Sequence, residues 1–307
     1  MLPIVEGLLK GDRRSLARAI SIVDNREPES RQIIKEIFGR TGSAKTVGFT
    51  GPGGAGKSSL LGKLIPECQA LGYKVAVLAV DPTSPITGGA ILGDRLRMIA
   101  SLESEGVFMR SMASRGAVGG VSKSLRNAIR VLDAAGYDLI LVESVGAGQL
   151  EIEITKVVNL TVVVFTPNTG DNVQAVKAGL TEVGDIYVVN KADLEGAGPL
   201  YNIIVDLIGD TERKPAVLKT SAKTGKGVRE LAKTVDKLLK ERSSSYKERE
   251  RKMLEEELKD MVSDIVEGKV ALMLAADKKH SAVIDKLAAK KTDPYTAAEQ
   301  VAESLFK

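Results

Sequence analysis

Residues 45–58 read KTVGFTGPGGAGKS: an apolar run, a glycine-rich turn, then a lysine and a serine. The last eight, Gly51 to Ser58, fit the pattern G-x-x-x-x-G-K-[ST], and they stand where its chemistry requires, between a buried strand and the start of a helix. Gly51, Gly53, Gly54 and Gly56 let the backbone curl so that successive N–H groups, that of Ala55 among them, turn toward one point. The helix that follows adds the positive end of its dipole, so the turn is built to receive phosphate oxygens. Lys57 supplies a point charge, the Ser58 hydroxyl is a ligand for a magnesium ion bridging the outer phosphates, and Ser59 continues the nucleotide-binding run.

Outward from this loop, buried strands alternate with helices: KVAVLAVD (74–81), DLILVESVG (138–146), LTVVVFT (160–166), IYVVNKAD (186–193) and AVLKTSA (216–222). This alternation predicts an α/β fold of the P-loop NTPase kind, a mainly parallel sheet with helices on both faces. Residues 1–40 carry apolar positions at helical spacing and read as a helical extension; 41–243 form the nucleotide domain. A strongly polar tract at 241–250 marks a boundary near Ser244, and 244–307 read as a C-terminal helical arm. Within it Leu254, Leu258, Met261, Val262, Ile265 and Val266 make an amphipathic stripe, and Asp293 with Pro294 opens a further helix.

In a parallel sheet ligands lie beyond the carboxyl ends of the strands, so the acids there come first as magnesium partners. Asp81 ends one strand, Glu143 ends another, and Asp94 lies in the GGAILGDRLRM loop; together with Lys57 they are the candidate catalytic set. A lone acid at a strand end is as often a cap, and it is their number beside one phosphate loop that makes a site. Gly146, three residues after Glu143, stands where a backbone N–H can touch the terminal phosphate and register its loss.

NKAD, residues Asn190, Lys191, Ala192 and Asp193, follows an apolar strand and reads as the N-K-x-D base loop. The Asp193 carboxylate can accept from the ring N–H and the exocyclic amine of guanine, a donor pair that adenine does not present. Ser221 and Ala222 fit the second base loop, whose backbone N–H meets the guanine carbonyl. The bound nucleotide is therefore GTP or GDP.

Composition narrows the rest. There are 44 lysines and arginines against 40 acids, interspersed, with 4% aromatic residues and no tryptophan, so nucleic acid is not expected as a partner. One cysteine, Cys68, and one histidine, His280, make neither a disulfide nor a zinc cage and fit a reducing, cytoplasmic setting. Charges interrupt the N-terminal stretch, and no apolar run reaches the ~18 residues of a membrane span, so neither an export signal nor a membrane segment is expected.

The chain resembles the methylmalonyl-CoA mutase-associated GTPases, SIMIBI-class P-loop proteins described as chaperones of adenosylcobalamin-dependent mutases. The resemblance rests on LLKGDRRSLARAIS (8–21), GPGGAGKSSL (51–60), VLAVDPTSPITGGAILGDRLRM (77–98), MASRGAVGGVS (112–122), DLILVESVGAGQLE (138–151), TGDNVQAVKAG (169–179) and VNKADL (189–194). It implies that Asp81, Asp94 and Glu143 surround magnesium, and that the C-terminal arm makes a homodimer. It also implies that Asn168 to Leu180, with Asp171, Gln174 and Lys177, responds to nucleotide and touches the mutase, whose adenosylcobalamin loading the GTPase would gate.

Three other readings stand beside it, one of them a pure interaction protein that binds GTP without hydrolysing it. An older family label, an ATPase or kinase linked to amino-acid transport, is disfavoured by NKAD. A metallochaperone GTPase for nickel enzymes shares the fold subclass but usually carries Cys/His metal sites. For hydrolysis, Ala147 follows Gly146 and the nearest glutamine is Gln149, so no water-positioning group is evident and slow intrinsic turnover is expected. Arg95, Arg97, Arg115 or Lys177 would complete the site when a partner binds.

Overall fold

The computed structural model describes residues 1–81, 106–113, 120–144, 153–167, 183–209, 215–241, 243–276 and 278–305. Seven strands form its sheet: β1 (Lys45–Thr50), β2 (Val75–Asp81), β3 (Phe108–Ala113), β4 (Leu139–Ser144), β5 (Leu160–Phe165), β6 (Ile186–Val189) and β7 (Ala216–Lys219). Their order is β3-β2-β4-β1-β5-β6-β7, and every neighbouring pair is parallel. Strands β2, β4 and β5 are buried along their whole length, which is why they read as unbroken apolar runs rather than as alternating ones.

Side chains still alternate between faces, and each face has its own core. Val75, Val77 and Ala79 pack with helix α4 (Lys57–Ala70) and with Val228, Leu231 and Val235 of helix α7 (Val228–Glu241). Ala76, Leu78 and Val80 pack on the opposite face, where the three N-terminal helices α1 (Pro3–Leu9), α2 (Arg13–Asn25) and α3 (Ser30–Ile37) join α5 (Gly120–Ala134). Leu8, Ile20, Ile33 and Ile37 are fully buried there, so these helices share the core of the sheet. A smaller core lies under α6 (Ala197–Ile208), where Ile204 and Ile208 meet Phe165, Tyr187 and Val189.

Among the described strands, β3 alone goes unread in the sequence pattern. Arg110 and Ser111 interrupt its apolar residues, and it lies at the sheet edge, where one half of the ladder is open to other partners.

The chain divides into two compact units, residues 1–246 and 247–307. The second is helical, with most of α8 (Ser243–Ala276), then α9 (Lys278–Ala288) and α10 (Pro294–Leu305). Asp293 caps α10, accepting from the backbone N–H groups of Tyr295 at 2.9 Å and Thr296 at 3.1 Å. On α8, Leu258, Val262 and Ile265 are each more than half exposed. Among the described residues no helix is long and apolar enough to cross a membrane.

Candidate functional site

The loop between β1 and α4 carries the geometry its sequence requires. Gly51 has φ 134°, and a Cβ there would fall 2.1 Å from the Val164 carbonyl oxygen, so glycine is enforced by space as well as by conformation. Lys57 is 6% exposed, and its ammonium donates to the carbonyls of Gly51 at 2.6 Å and Pro52 at 3.1 Å. The charge is thus held inside the loop it serves, with the helix N-terminus behind it.

The adjacent strand ends supply hard oxygen. Ser58 Oγ donates to Glu143 Oε1 at 2.5 Å, linking the first turn of α4 to the end of β4. Glu143 and Asp81 are both 1% exposed and lie at the same end of neighbouring strands, for Ala79 is in register with Glu143 and Val80 with Ser144. Two buried carboxylates and a hydroxyl at the mouth of a phosphate loop fit a divalent cation with oxygen ligands. Among the described residues no three His, Cys, Asp or Glu side chains gather into a cation cage, so the remaining ligands must come from phosphate, water or residues elsewhere. Asp94, Gly146, Asp171, Gln174 and Lys177, together with Arg95, Arg97, Arg115 and Gln149, lie outside the described residues.

Asn190 ties the phosphate loop to the base loops. It is 1% exposed, and its Nδ2 donates to the Ala55 carbonyl at 2.9 Å. Its Oδ1 accepts from the Thr220 hydroxyl at 3.2 Å and the Ala222 N–H at 3.3 Å. Gly56, with φ 82°, leaves room for that amide, since a Cβ there would sit 2.7 Å from Nδ2. Lys191 adopts a left-handed φ of 54°, a conformation costing a non-glycine residue about 1 kcal/mol or more and concentrated at functional sites.

Asp193 is oriented by the second loop. The Ser221 hydroxyl donates to its Oδ1 at 2.5 Å while accepting from the Thr224 N–H at 3.2 Å, so the hydroxyl has one direction to point. That hydrogen bond, then a backbone N–H and the charges of Lys223 and Lys191, hold the carboxyl below its ordinary value, ready to accept. Around these groups is a cleft of ≈ 420 Å³ lined by Gly56, Ser59, Asn190, Asp193, Leu194 and Lys223 among others. Leu194, Lys223 and Thr220 were not singled out in the sequence reading. Each directly adjoins a motif residue, and that adjacency is the signal by which they could have been found.

A seven-stranded parallel sheet, a glycine phosphate loop and a carboxylate-bearing base loop stapled to it define a P-loop GTPase. The chain belongs to the methylmalonyl Co-A mutase-associated GTPase MeaB family, whose sequence pattern matches residues 16–275. A relative from Pyrococcus abyssi that carries a GTPase name is 46% identical over 312 residues, covering 99% of this chain and 96% of that one. The mouse protein named methylmalonic aciduria type A homolog, mitochondrial, is 33% identical over 254 residues, covering 75% of this chain and 60% of that one. Among solved structures, the crystal structure of an LAO/AO transport system kinase aligns with a TM-score of 0.68 at 26% identity, over 99% of this chain and 97% of that one.

Proposed function

We propose that this GTPase is a nucleotide-switched chaperone of an adenosylcobalamin-dependent acyl-CoA mutase, hydrolysing GTP to GDP and phosphate with magnesium in the cytoplasm. The partner is supported by the family's description, which names methylmalonyl-CoA mutase. The nucleotide chemistry is supported above all by the Ser58–Glu143 contact at the phosphate-loop mouth, with the buried Asp81 carboxylate at the same sheet end.

In this reading the curled backbone of Gly51 to Gly56 and the Lys57 ammonium bind the phosphates, and Asp193 with Ala222 holds guanine. Ser58, Asp81 and Glu143, with Asp94, would hold magnesium, which when bound neutralises charge on the outer phosphates. The Gly146 N–H reports the terminal phosphate, and residues 168–180, with Asp171, Gln174 and Lys177, carry that state to the mutase. Residues 244–307 act as a homodimer arm: the exposed Leu258, Val262 and Ile265 are covered by a second copy, each contributing about 1.5–3 kcal/mol when fully buried.

Two measurements test the proposal. Retention of the mutase from native lysate on the immobilised GTPase should differ between GTP and GDP, and added mutase should raise turnover. Equal retention and equal turnover would remove the chaperone role while leaving the GTPase itself intact. The transport-kinase reading would be favoured instead if ATP competed as well as GTP.

A further inference from the structure

Helices α4 and α7 both begin at the sheet end that carries the nucleotide loops, α4 directly after Gly56 and α7 directly after residues 221–227. They lie side by side, with Leu60, Leu64, Leu231 and Val235 in one core. Asp236 marks the flank of α7 that faces α4, since its Oδ1 accepts at 2.8 Å from the hydroxyl of Tyr73, just beyond the end of α4. Arg229 and Lys233 stand two turns and one turn before Asp236 and share that flank. On α4, Ser58 bonds to Glu143 of β4 on one flank, whereas Ser59 lines the guanine cleft with Lys223, and Lys63 follows Ser59 one turn later. The seam between the helices therefore opens beside the cleft with Lys63 on one side and Arg229 and Lys233 on the other. Lys223 and Lys226 lie in the loop that leads into α7.

All five cations are exposed. Among the described residues, none of Lys63, Lys226, Arg229 and Lys233 makes an ion pair, whereas in the far half of α7 Lys240 reaches Asp236 at 2.8 Å and Lys237 reaches Glu241 at 3.7 Å. The unpaired half works against the helix that carries it. Arg229 lies in the first turn, where a cation opposes the helix dipole, and Lys233 follows it at i+4, where like charges repel. Neither side chain is in the core, so folding does not call for them. Local rules broken together on one exposed face mark a binding surface.

The basic zone is short. Glu67 stands one turn beyond Lys63, Asp236 follows Lys233, and Glu230 adjoins Arg229, so carboxylates close the zone within about two helical turns. A long polyanion would have to run on across those acids, and the chain has no tryptophan on which its bases could stack. A few carboxylates projecting from a protein surface fit instead. We propose that this seam is the docking surface for an acidic segment of the client mutase, which lies across Lys63, Arg229 and Lys233 beside the guanine cleft. The proposal rests on the reading that a mutase is the client. Charges placed in this way act chiefly on the rate of encounter, by steering an oppositely charged partner, and salt screens them.

The test uses the full chain and purified methylmalonyl-CoA mutase, the enzyme that the family's description names. Association rates are compared at about 50 mM and about 500 mM salt for the parent, Arg229→Glu, Lys63→Glu/Arg229→Glu and Lys237→Glu/Lys240→Glu. The Lys63→Glu/Arg229→Glu variant should associate at least about tenfold more slowly in low salt and within about twofold of the parent in high salt, with GTP and GDP affinity within about twofold. Lys237→Glu/Lys240→Glu makes the same change in net charge away from the cleft and should stay within about twofold throughout. Arg229→Glu puts an acid where the dipole favours one and pairs it with Lys233, so its Tm should be unchanged or raised while association slows; it keeps the test open should the double variant fold poorly. Equal slowing in both double variants, or slowing accompanied by lost nucleotide affinity and a lower Tm, would overturn the assignment. Mutase that binds the parent and Lys63→Glu/Arg229→Glu at the same rate would remove the seam and leave the chaperone reading; mutase that does not bind the parent would remove that reading and the seam with it. A fluorescent RNA of about 20 nucleotides that binds the parent and not Lys63→Glu/Arg229→Glu, with mutase association unaffected, would give the seam to nucleic acid instead.

Discussion

The Ser58 hydroxyl donates a hydrogen bond of 2.5 Å to the Glu143 carboxylate, joining the helix after the phosphate loop to the end of strand β4. In the proposed function, a serine and a buried acid placed this way would present oxygen to a cation that the nucleotide brings. Glu143→Gln keeps the shape and removes the charge. Titration calorimetry should then show the magnesium enhancement of GTP affinity reduced by about tenfold or more, with metal-free GDP binding within about threefold of the parent. An undiminished enhancement would place the metal elsewhere.

Asn190 bonds to the phosphate loop through Ala55 and to the second base loop through Thr220 and Ala222. Asn190→Ala leaves those buried groups without their partner. The expected cost is about 2 kcal/mol of stability, read as a lower denaturation midpoint, together with a loss of GDP affinity of about tenfold. A variant as stable and as tightly binding as the parent would show that the two loops are held independently.

Asp193→Asn exchanges two acceptors for an acceptor and a donor. Guanine then faces a donor where its amine needs an acceptor, while xanthine, with a carbonyl at that position, is matched. Competition binding should show GTP weakened by about a hundredfold or more and XTP favoured over it. Ser221→Ala should weaken GTP more mildly, because the carboxylate remains but loses the hydroxyl that aims it. If Asp193→Asn still prefers GTP, the base sits elsewhere than against this residue.

Cys68 is 1% exposed, and burial, with the charges of Asp236 and Glu67 behind it, pushes its thiol up to about 12. The thiolate is the reactive form, so alkylation at pH 8 should proceed in the native protein at least about a hundredfold more slowly than in denaturant. The folded value lies above the unfolded one, so this group's contribution is complete below pH ~9 and is lost as pH rises toward 12. Native labelling as fast as in denaturant would contradict the burial.

Of the candidate site, the phosphate loop and the base loop are legible in sequence as motifs because their chemistry is local. Four glycines, a lysine and a serine within eight residues fix one loop, and NKAD fixes another. Packing was less so: the helical spacing of Leu8, Ile20 and Ile33 announces helices, but nothing in it says that they cover Leu78 and Val80 of β2. Strand β3 was hidden by Arg110 and Ser111, polar residues that an edge strand tolerates. The hydrogen bond from the Ser122 hydroxyl to Glu153 spans 31 residues and follows no spacing rule, so only the fold brings the two together.

The exposed stripe on α8 gives the arm its own test. Leu258→Asp with Val262→Asp should convert a dimer into a monomer in sedimentation, since two charges cannot be buried between apolar helices. GTP turnover without mutase should be unchanged within about twofold, since neither residue belongs to a phosphate-loop or base-loop motif. A parent protein that sediments as a monomer would contradict the arm's assignment outright.

The most direct test of the whole account is calorimetric titration of the wild-type chain with GTP and with ATP, each with magnesium and with chelator. The arrangement of Lys57, Ser58, Glu143 and Asp193 predicts one site per chain, GTP binding tightened by magnesium, and ATP weaker by about a hundredfold or more. Binding indifferent to magnesium, or ATP bound as tightly as GTP, would contradict it.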